Sequence, residues 1–215
     1  LLLGLTPETL VARLIVLLIA MTVHEFAHNY VADRMGDPEP RRLGRLTLNP
    51  FVHINWIGWL MFAIIGFGIL GSAPISPFRM PAENRRWRWL AAVAAGPVSN
   101  LLLAIVTAIV IRILIGFGVI NALPSLVNTI LLQMVFFNVI LFLFNLIPLF
   151  PLDGWQVAYA LLPPRQAYAW ERYQMTTYYI FFFLILLSFV NLGGINPLGL
   201  IIGQPARLIM NALLG

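Results

Sequence analysis

The sequence has no cysteine and no lysine. The first absence excludes disulfides and every thiolate metal site, so any bound metal must be held by histidine, aspartate or glutamate. The second makes arginine the source of all thirteen basic side chains. Charge is scarce altogether: 10% of the residues are charged and 60% hydrophobic, with a mean hydropathy of +0.90, where a soluble domain carries about 25% charge. These proportions describe an integral membrane protein. A chain of 215 residues has room for about five to six transmembrane or re-entrant helices with short loops and none for a separate soluble domain. Residues 1–215 are therefore expected to form a single all-α, polytopic, membrane-embedded domain.

The apolar runs give its outline. Leu10 to Ala32 reads as a first span, with Thr6-Pro7-Glu8 as a helix start and Gly36, Pro38 and Pro40 as a stop. Leu10 to Ala20 has the length of a signal-peptide core, but no small-residue cleavage site follows and the apolar run continues. Trp56 to Gly71, at 16 residues, is short for a straight span and is read as a re-entrant segment, with a full crossing as the alternative. Trp89 to Ile115 is the next span, and its small residues from Ala91 to Gly96 let another helix approach closely. Leu126 to Phe150 breaks at Pro148 and Pro151, ahead of Asp153-Gly154 and a short helix from Trp155 to Leu162. These runs make a core over 10–162. C-terminal helices follow over 176–214: Thr176 to Val190, then Pro197 to Leu214, which spans, lies on the surface or packs on a neighbour.

The net charge of +5 is concentrated in two loops, Arg34, Arg41, Arg42 and Arg45 in one and Arg79, Arg85, Arg86 and Arg88 in the other. Placed beside apolar runs, they suit the anionic headgroups of a lipid bilayer better than nucleic acid. If Trp56 to Gly71 does not cross completely, both loops fall on one face, which an excess of arginine marks as cytoplasmic.

Within the first span lies His24-Glu25-Phe26-Ala27-His28, an H-E-x-x-H motif in a chain with three histidines. Positions i and i+4 share one helix face, so both imidazoles can bind one zinc ion while Glu25 takes a proton from the attacking water. Ionisable groups buried in hydrocarbon cost about 2.5 to 3.5 kcal/mol each, which a surface helix with polar residues placed by chance would not have to bear. Catalytic zinc usually takes three protein ligands, so one is missing. Six of the eight acids lie in loops or at helix ends beside arginines or turn residues, which leaves Glu25 and Asp153 in apolar surroundings. Asp153 is the third ligand by elimination, with N-capping of the helix that follows as the alternative. His53, after Asn49-Pro50, is expected to be solvated or bonded to backbone.

Three separated motifs resemble the site-2 protease family of intramembrane zinc metalloproteases, peptidase family M50, in its compact prokaryotic form without a PDZ domain. They are His24-Glu25-x-x-His28, Gly96-Pro97-x-x-Asn100, and Asn145-x-x-Pro148-x-x-Pro151-Leu152-Asp153-Gly154, with Gly44 to Pro50 as a further likeness. The resemblance implies one Zn2+ per chain on His24, His28 and Asp153, with Glu25 as general base and then general acid. It implies a substrate-binding role for Asn145. Asn100 is expected to serve the site or to hydrogen-bond a neighbouring helix. The implied reaction is hydrolysis of peptide bonds in or near transmembrane segments of membrane proteins, in a multi-pass protein of the cell membrane with its active site nearer the cytoplasmic face. The loop Ala73 to Met80 would offer an extended edge to an unwound substrate. Two other readings compete: a prenyl-protein-processing type of metalloprotease, which would need a glutamate as third ligand, and a catalytically silent zinc-binding scaffold or pseudoprotease. A regulatory partner is expected but not identifiable from the sequence, and neither is the substrate.

Overall fold

The computed structural model describes residues 6–65, 71, 73–190 and 196–215. The described residues are helical with no strand longer than a single bridge. Helix α1 runs Pro7–Arg34. It starts where the Thr6 hydroxyl accepts the Thr9 N–H at 3.1 Å, with Pro7 in the first turn and Glu8 beside the positive end of the helix dipole. It stops at Gly36, whose φ of +100° favours glycine and whose Cβ, if present, would stand 2.6 Å from the Pro81 ring. The chain continues through a one-turn α2 (Glu39–Arg42), α3 (Trp56–Ile65), α4 (Arg85–Gly116), α5 (Ser125–Asn145), α6 (Asp153–Leu161), α7 (Pro164–Arg172), α8 (Gln174–Val190) and α9 (Pro197–Leu214).

Four of these, α1, α4, α5 and α9, are long and apolar enough to cross a membrane, and α8 is a shorter apolar helix. With α3 they make the six elements that composition allows. α1, α4 and α5 pack on one another as the centre of the bundle. On the outer side of the site, Ala104, Ala108 and Ile111 of α4 meet Val135 and Val139 of α5 and Ile202 and Ala206 of α9. Small side chains at such contacts let helix backbones approach, which matters where lipid removes the hydrophobic drive for association.

Two departures from the sequence reading bear on the site. The fourth apolar run ends as a helix at Asn145, before Pro148, and α7, whose composition is polar, was not foreseen. Several arginines make bonds within the protein. Arg86 donates to the last carbonyls of α6 at Ala160 and Leu161, Arg88 to Met35 at the end of α1, and Arg112 to Ala212 and Leu213 at the end of α9. A guanidinium there satisfies the carbonyls that a helix leaves unpaired and meets the negative end of its dipole. Arg79 makes a two-pronged pair with the fully buried Asp37 at 2.7 and 2.9 Å, and Arg41 pairs with Asp33.

Residues 66–70 of the expected re-entrant segment lie outside the described residues. Gly71, at the end of that segment, forms an isolated antiparallel bridge with Ile54, two residues before its start.

Candidate metal centre

His24 and His28 project from the last third of α1 on one face, as their spacing demands, and both are buried. Asp153 comes to them from the first turn of α6, and its Oδ2 lies 3.2 Å from each Nε2. The two Nε2 atoms are 3.1 Å apart. Asp153 does not cap α6: the N-cap is Leu152, and no side chain caps that end.

Two glycines let these helices meet. A Cβ on Gly96 of α4 would fall 2.2 Å from His28 Nε2, so only glycine lets α4 lie against the imidazole. A Cβ on Gly154 would fall 2.4 Å from the backbone of Leu146 and Ile147, so the residue after Asp153 must also be bare for α6 to start beside the end of α5.

Hydrogen bonds fix the imidazoles. His28 Nδ1 is 2.8 Å from the Ala92 carbonyl, which can only accept, so Nδ1 carries the proton and Nε2 keeps its lone pair. His24 Nδ1 is 2.7 Å from Asn100 Oδ1, and the Asn100 amide is turned that way because its Nδ2 donates to the Ala20 carbonyl and to Asn138 Oδ1. Two imidazole lone pairs and a carboxylate oxygen thus converge. Three acceptors within 3.2 Å of one another repel unless a cation sits among them, and donors at about 2.0 to 2.1 Å around a tetrahedral metal stand roughly 3.3 Å apart. The set fits zinc, and among the described residues it is the one group of three His, Asp or Glu side chains arranged to hold a metal.

Glu25 is buried beside this group, and its Oε2 has no hydrogen-bond partner among the described residues. Its Oε1 would be 3.0 Å from a Cβ on Gly71, so the backbone at Gly71 lies directly against the carboxylate. The sequence reading assigned Gly71 nothing beyond the end of that segment. A glycine closing an apolar run ahead of a proline-bearing loop was the available signal. His53 is buried, with Nε2 2.6 Å from the Thr47 carbonyl, so it is backbone-bonded and not solvated. Asn145 is half-buried at the end of α5 and donates Nδ2 to Leu141 in its own helix. Among the described residues it makes no hydrogen bond to His24, His28 or Asp153.

Residues 121–188, which include Asn145 and Asp153, match the family described as Peptidase family M50. The chain is also 35% identical over 161 residues to a Bacillus subtilis (strain 168) protein named "Putative zinc metalloprotease YwhC", an alignment covering 74% of this chain and 73% of the relative. The chain belongs to peptidase family M50. No solved structure matches it at a significant level. As an M50 member with four helices able to cross a bilayer, it is a peptidase and a membrane protein. The family match reaches Asp153 but not the H-E-x-x-H helix, so the joining of the two halves of the centre rests on the fold.

Proposed function

We propose that this M50 chain is an intramembrane zinc metalloprotease in which His24, His28 and Asp153 hold the metal and Glu25 moves the proton. The convergence of two tautomer-fixed Nε2 atoms and Asp153 Oδ2 carries the reading. Zinc bound there supplies Lewis acidity that polarises the scissile carbonyl and makes water acidic enough to be deprotonated near neutral pH. Glu25 takes one proton from the attacking water as its oxygen bonds to the carbonyl carbon. It then delivers that proton to the departing nitrogen as the C–N bond breaks. Burial keeps bulk water away from the carboxylate, and the unpaired Oε2 is the atom open to the water that reacts. Asn100 serves the centre by orienting His24. Asn145 has spent one N–H on Leu141, and the rest of its amide is what it offers an unwound substrate.

Substrates are membrane-protein segments whose helix is weak, because a helical peptide hides its carbonyls in its own hydrogen bonds. The loop after Gly71 starts beside Glu25 and is anchored just past the end of the catalytic helix by Asp37, which accepts from Ser76 N–H and from Arg79, and so offers a fixed edge for such a segment. The site end faces the cytoplasm. Eight of the thirteen arginines lie between the last residue of α1 and the first turn of α4, in the two segments linked by the Ile54–Gly71 bridge or at the helix ends that flank them. Nothing in the centre favours a silent scaffold, since Glu25 stands beside the ligand set. No glutamate completes that set as the prenyl-processing type would require.

The test is zinc content and cleavage of a transmembrane substrate by the purified chain in detergent. Glu25→Gln should keep zinc and lose about 10²- to 10⁴-fold in cleavage rate. Asp153→Ala should lose both. An Asp153→Ala protein that retains the parent's zinc would remove Asp153 from the ligand set. A cysteine placed at Phe51, which is exposed, should be labelled from the cytoplasmic side, and labelling from outside would invert the topology.

A further inference from the structure

Beyond the groups that touch the metal centre lies a buried polar side chain with no place in the chemistry so far. Asn138 on α5 is fully buried and is the one polar residue in the apolar stretch Met134 to Phe144. A buried amide in such a bundle is costly unless each of its polar atoms is bonded. Its Nδ2 donates to the Met134 carbonyl at 2.8 Å and lies 3.3 Å from the Met134 sulfur, and its Oδ1 accepts from Asn100 Nδ2 at 2.9 Å.

We propose that Asn138 is a positioning residue for the metal centre: it sets which way the Asn100 amide faces, and through Asn100 which nitrogen of His24 carries the proton. The chain of cause starts at Met134. Its carbonyl can only accept, so it turns the Asn138 NH2 toward itself and leaves Oδ1 pointing at α4. An oxygen there can receive only the NH2 of Asn100, which puts Asn100 Oδ1 against His24 Nδ1 at 2.7 Å. The oxygen demands a proton on Nδ1 and frees Nε2. A reversed Asn100 amide would aim its NH2 at His24, draw the lone pair to Nδ1 and place the proton on Nε2, where the metal must bind. The Ala20 carbonyl, 3.2 Å from Asn100 Nδ2, favours the same orientation, so Asn138 shares the task. Three helices, α1, α4 and α5, are thereby tied to one protonation choice.

The inference rests on the reading of His24 as a zinc ligand, and the experiment separates the two. Zinc affinity is measured by chelator competition on the intact chain in detergent for the parent, Asn138→Leu, Asn100→Asp, the double variant and His24→Ala. Groups behind a metal ligand typically contribute 10- to 100-fold in affinity, and with Ala20 still in place Asn138→Leu should lose about 10-fold. A carboxylate at position 100 accepts from His24 whichever way it turns. In the Asn100→Asp background, where the carboxylate has no N–H to give Asn138 Oδ1, the same Asn138→Leu change should therefore not lower affinity. Parent-like affinity in Asn138→Leu overturns the inference. Equal loss in both backgrounds, including loss because the chain no longer folds, overturns it too, since packing alone would produce that. If His24→Ala retains the parent's affinity, the ligand assignment itself fails. If His24→Ala loses zinc while Asn138→Leu does not, only the role of Asn138 falls.

Discussion

Helices α1 and α9 are both long and apolar enough to cross a membrane, yet they carry their polar residues in opposite ways. The most apolar stretch of α1 is 44% buried within the protein, and that of α9 is 11% buried. In α1, His24, Glu25, His28 and Asn29 all face inward. In α9, Gln204, Arg207 and Asn211 are all exposed, and the helix is held by Ile202 and Ala206 and by Arg112 at its last carbonyls. A polar group turned inward must find a partner or a ligand, whereas a long one turned outward can reach for the membrane surface. Polar residues in an apolar helix therefore mark a site only when the fold buries them. The contrast between the site end and the C-terminal helices can be tested by making the same kind of change in each.

Glycine to alanine should give the largest difference. At Gly96 the added Cβ would stand 2.2 to 2.7 Å from three atoms of the His28 ring, and neither the ring nor the α4 backbone has room to yield without moving the ligand. A displacement of about 1 Å at a catalytic centre costs on the order of 100-fold, so Gly96→Ala should lose cleavage by at least that much and bind zinc weakly. At Gly203 in α9 nothing lies within 4 Å of the new methyl. Gly203→Ala should cleave within about twofold of the parent and melt no lower, since alanine favours a helix by roughly 1 kcal/mol over glycine. Parent-like zinc binding in Gly96→Ala would mean that α1 and α4 are not held as closely as described.

That contrast also shows what a sequence can disclose. The H-E-x-x-H spacing is local, and a helix converts it directly into a shared face, so the pairing of His24 with His28 was legible. Asp153 was reachable only by elimination and by family resemblance, because its approach depends on Gly154 packing against the end of α5, a contact no spacing encodes. Asn100 stood in a motif, but its partner could not be named. Asn138 was missed, since a single asparagine in an apolar run looks the same whether it faces lipid or a neighbouring amide. For Arg86, Arg88 and Arg112 the bonds to helix ends could not be read either, since they are set by where α6, α1 and α9 stop.

Those helix ends allow a second paired test of smaller effect. Arg86 caps α6, a nine-residue helix whose other end is Asp153, and Arg112 caps α9, which bears no site residue. A cation at a helix C-terminus contributes about 0.3 to 1 kcal/mol, and up to roughly 2 when partly buried. On α6 that loss acts on Asp153, the proposed third ligand, so Arg86→Gln should lower zinc affinity several-fold, read by the same chelator competition. Arg112→Gln should fray the last turn of α9 and lower the melting temperature slightly, with zinc affinity unchanged. Equal effects on zinc would mean that the C-terminal helix is coupled to the centre after all.

The smallest effect concerns acid. Burial pushes the Asp37 carboxyl up, but the Arg79 guanidinium and the N–H groups of Ser76 and Glu39 outweigh it and hold the group below the usual carboxylate range. A carboxyl with a lowered pKa in the folded state stabilises that state above its unfolded value, near 3.9, and the contribution disappears as pH falls through the lower folded value. The clamp that holds the loop beside Glu25 should therefore be indifferent to pH between about 8 and 5 and loosen only below about 4. A spin label on a cysteine at Phe78, an exposed position one residue before Arg79, should keep the same mobility across the neutral range and gain a mobile fraction only in that acid limb. The same label at Leu208, exposed on α9 with no such carboxylate in its helix, should change in neither range. A transition at position 78 within the neutral range would mean that the Asp37–Arg79 pair is not what holds the loop.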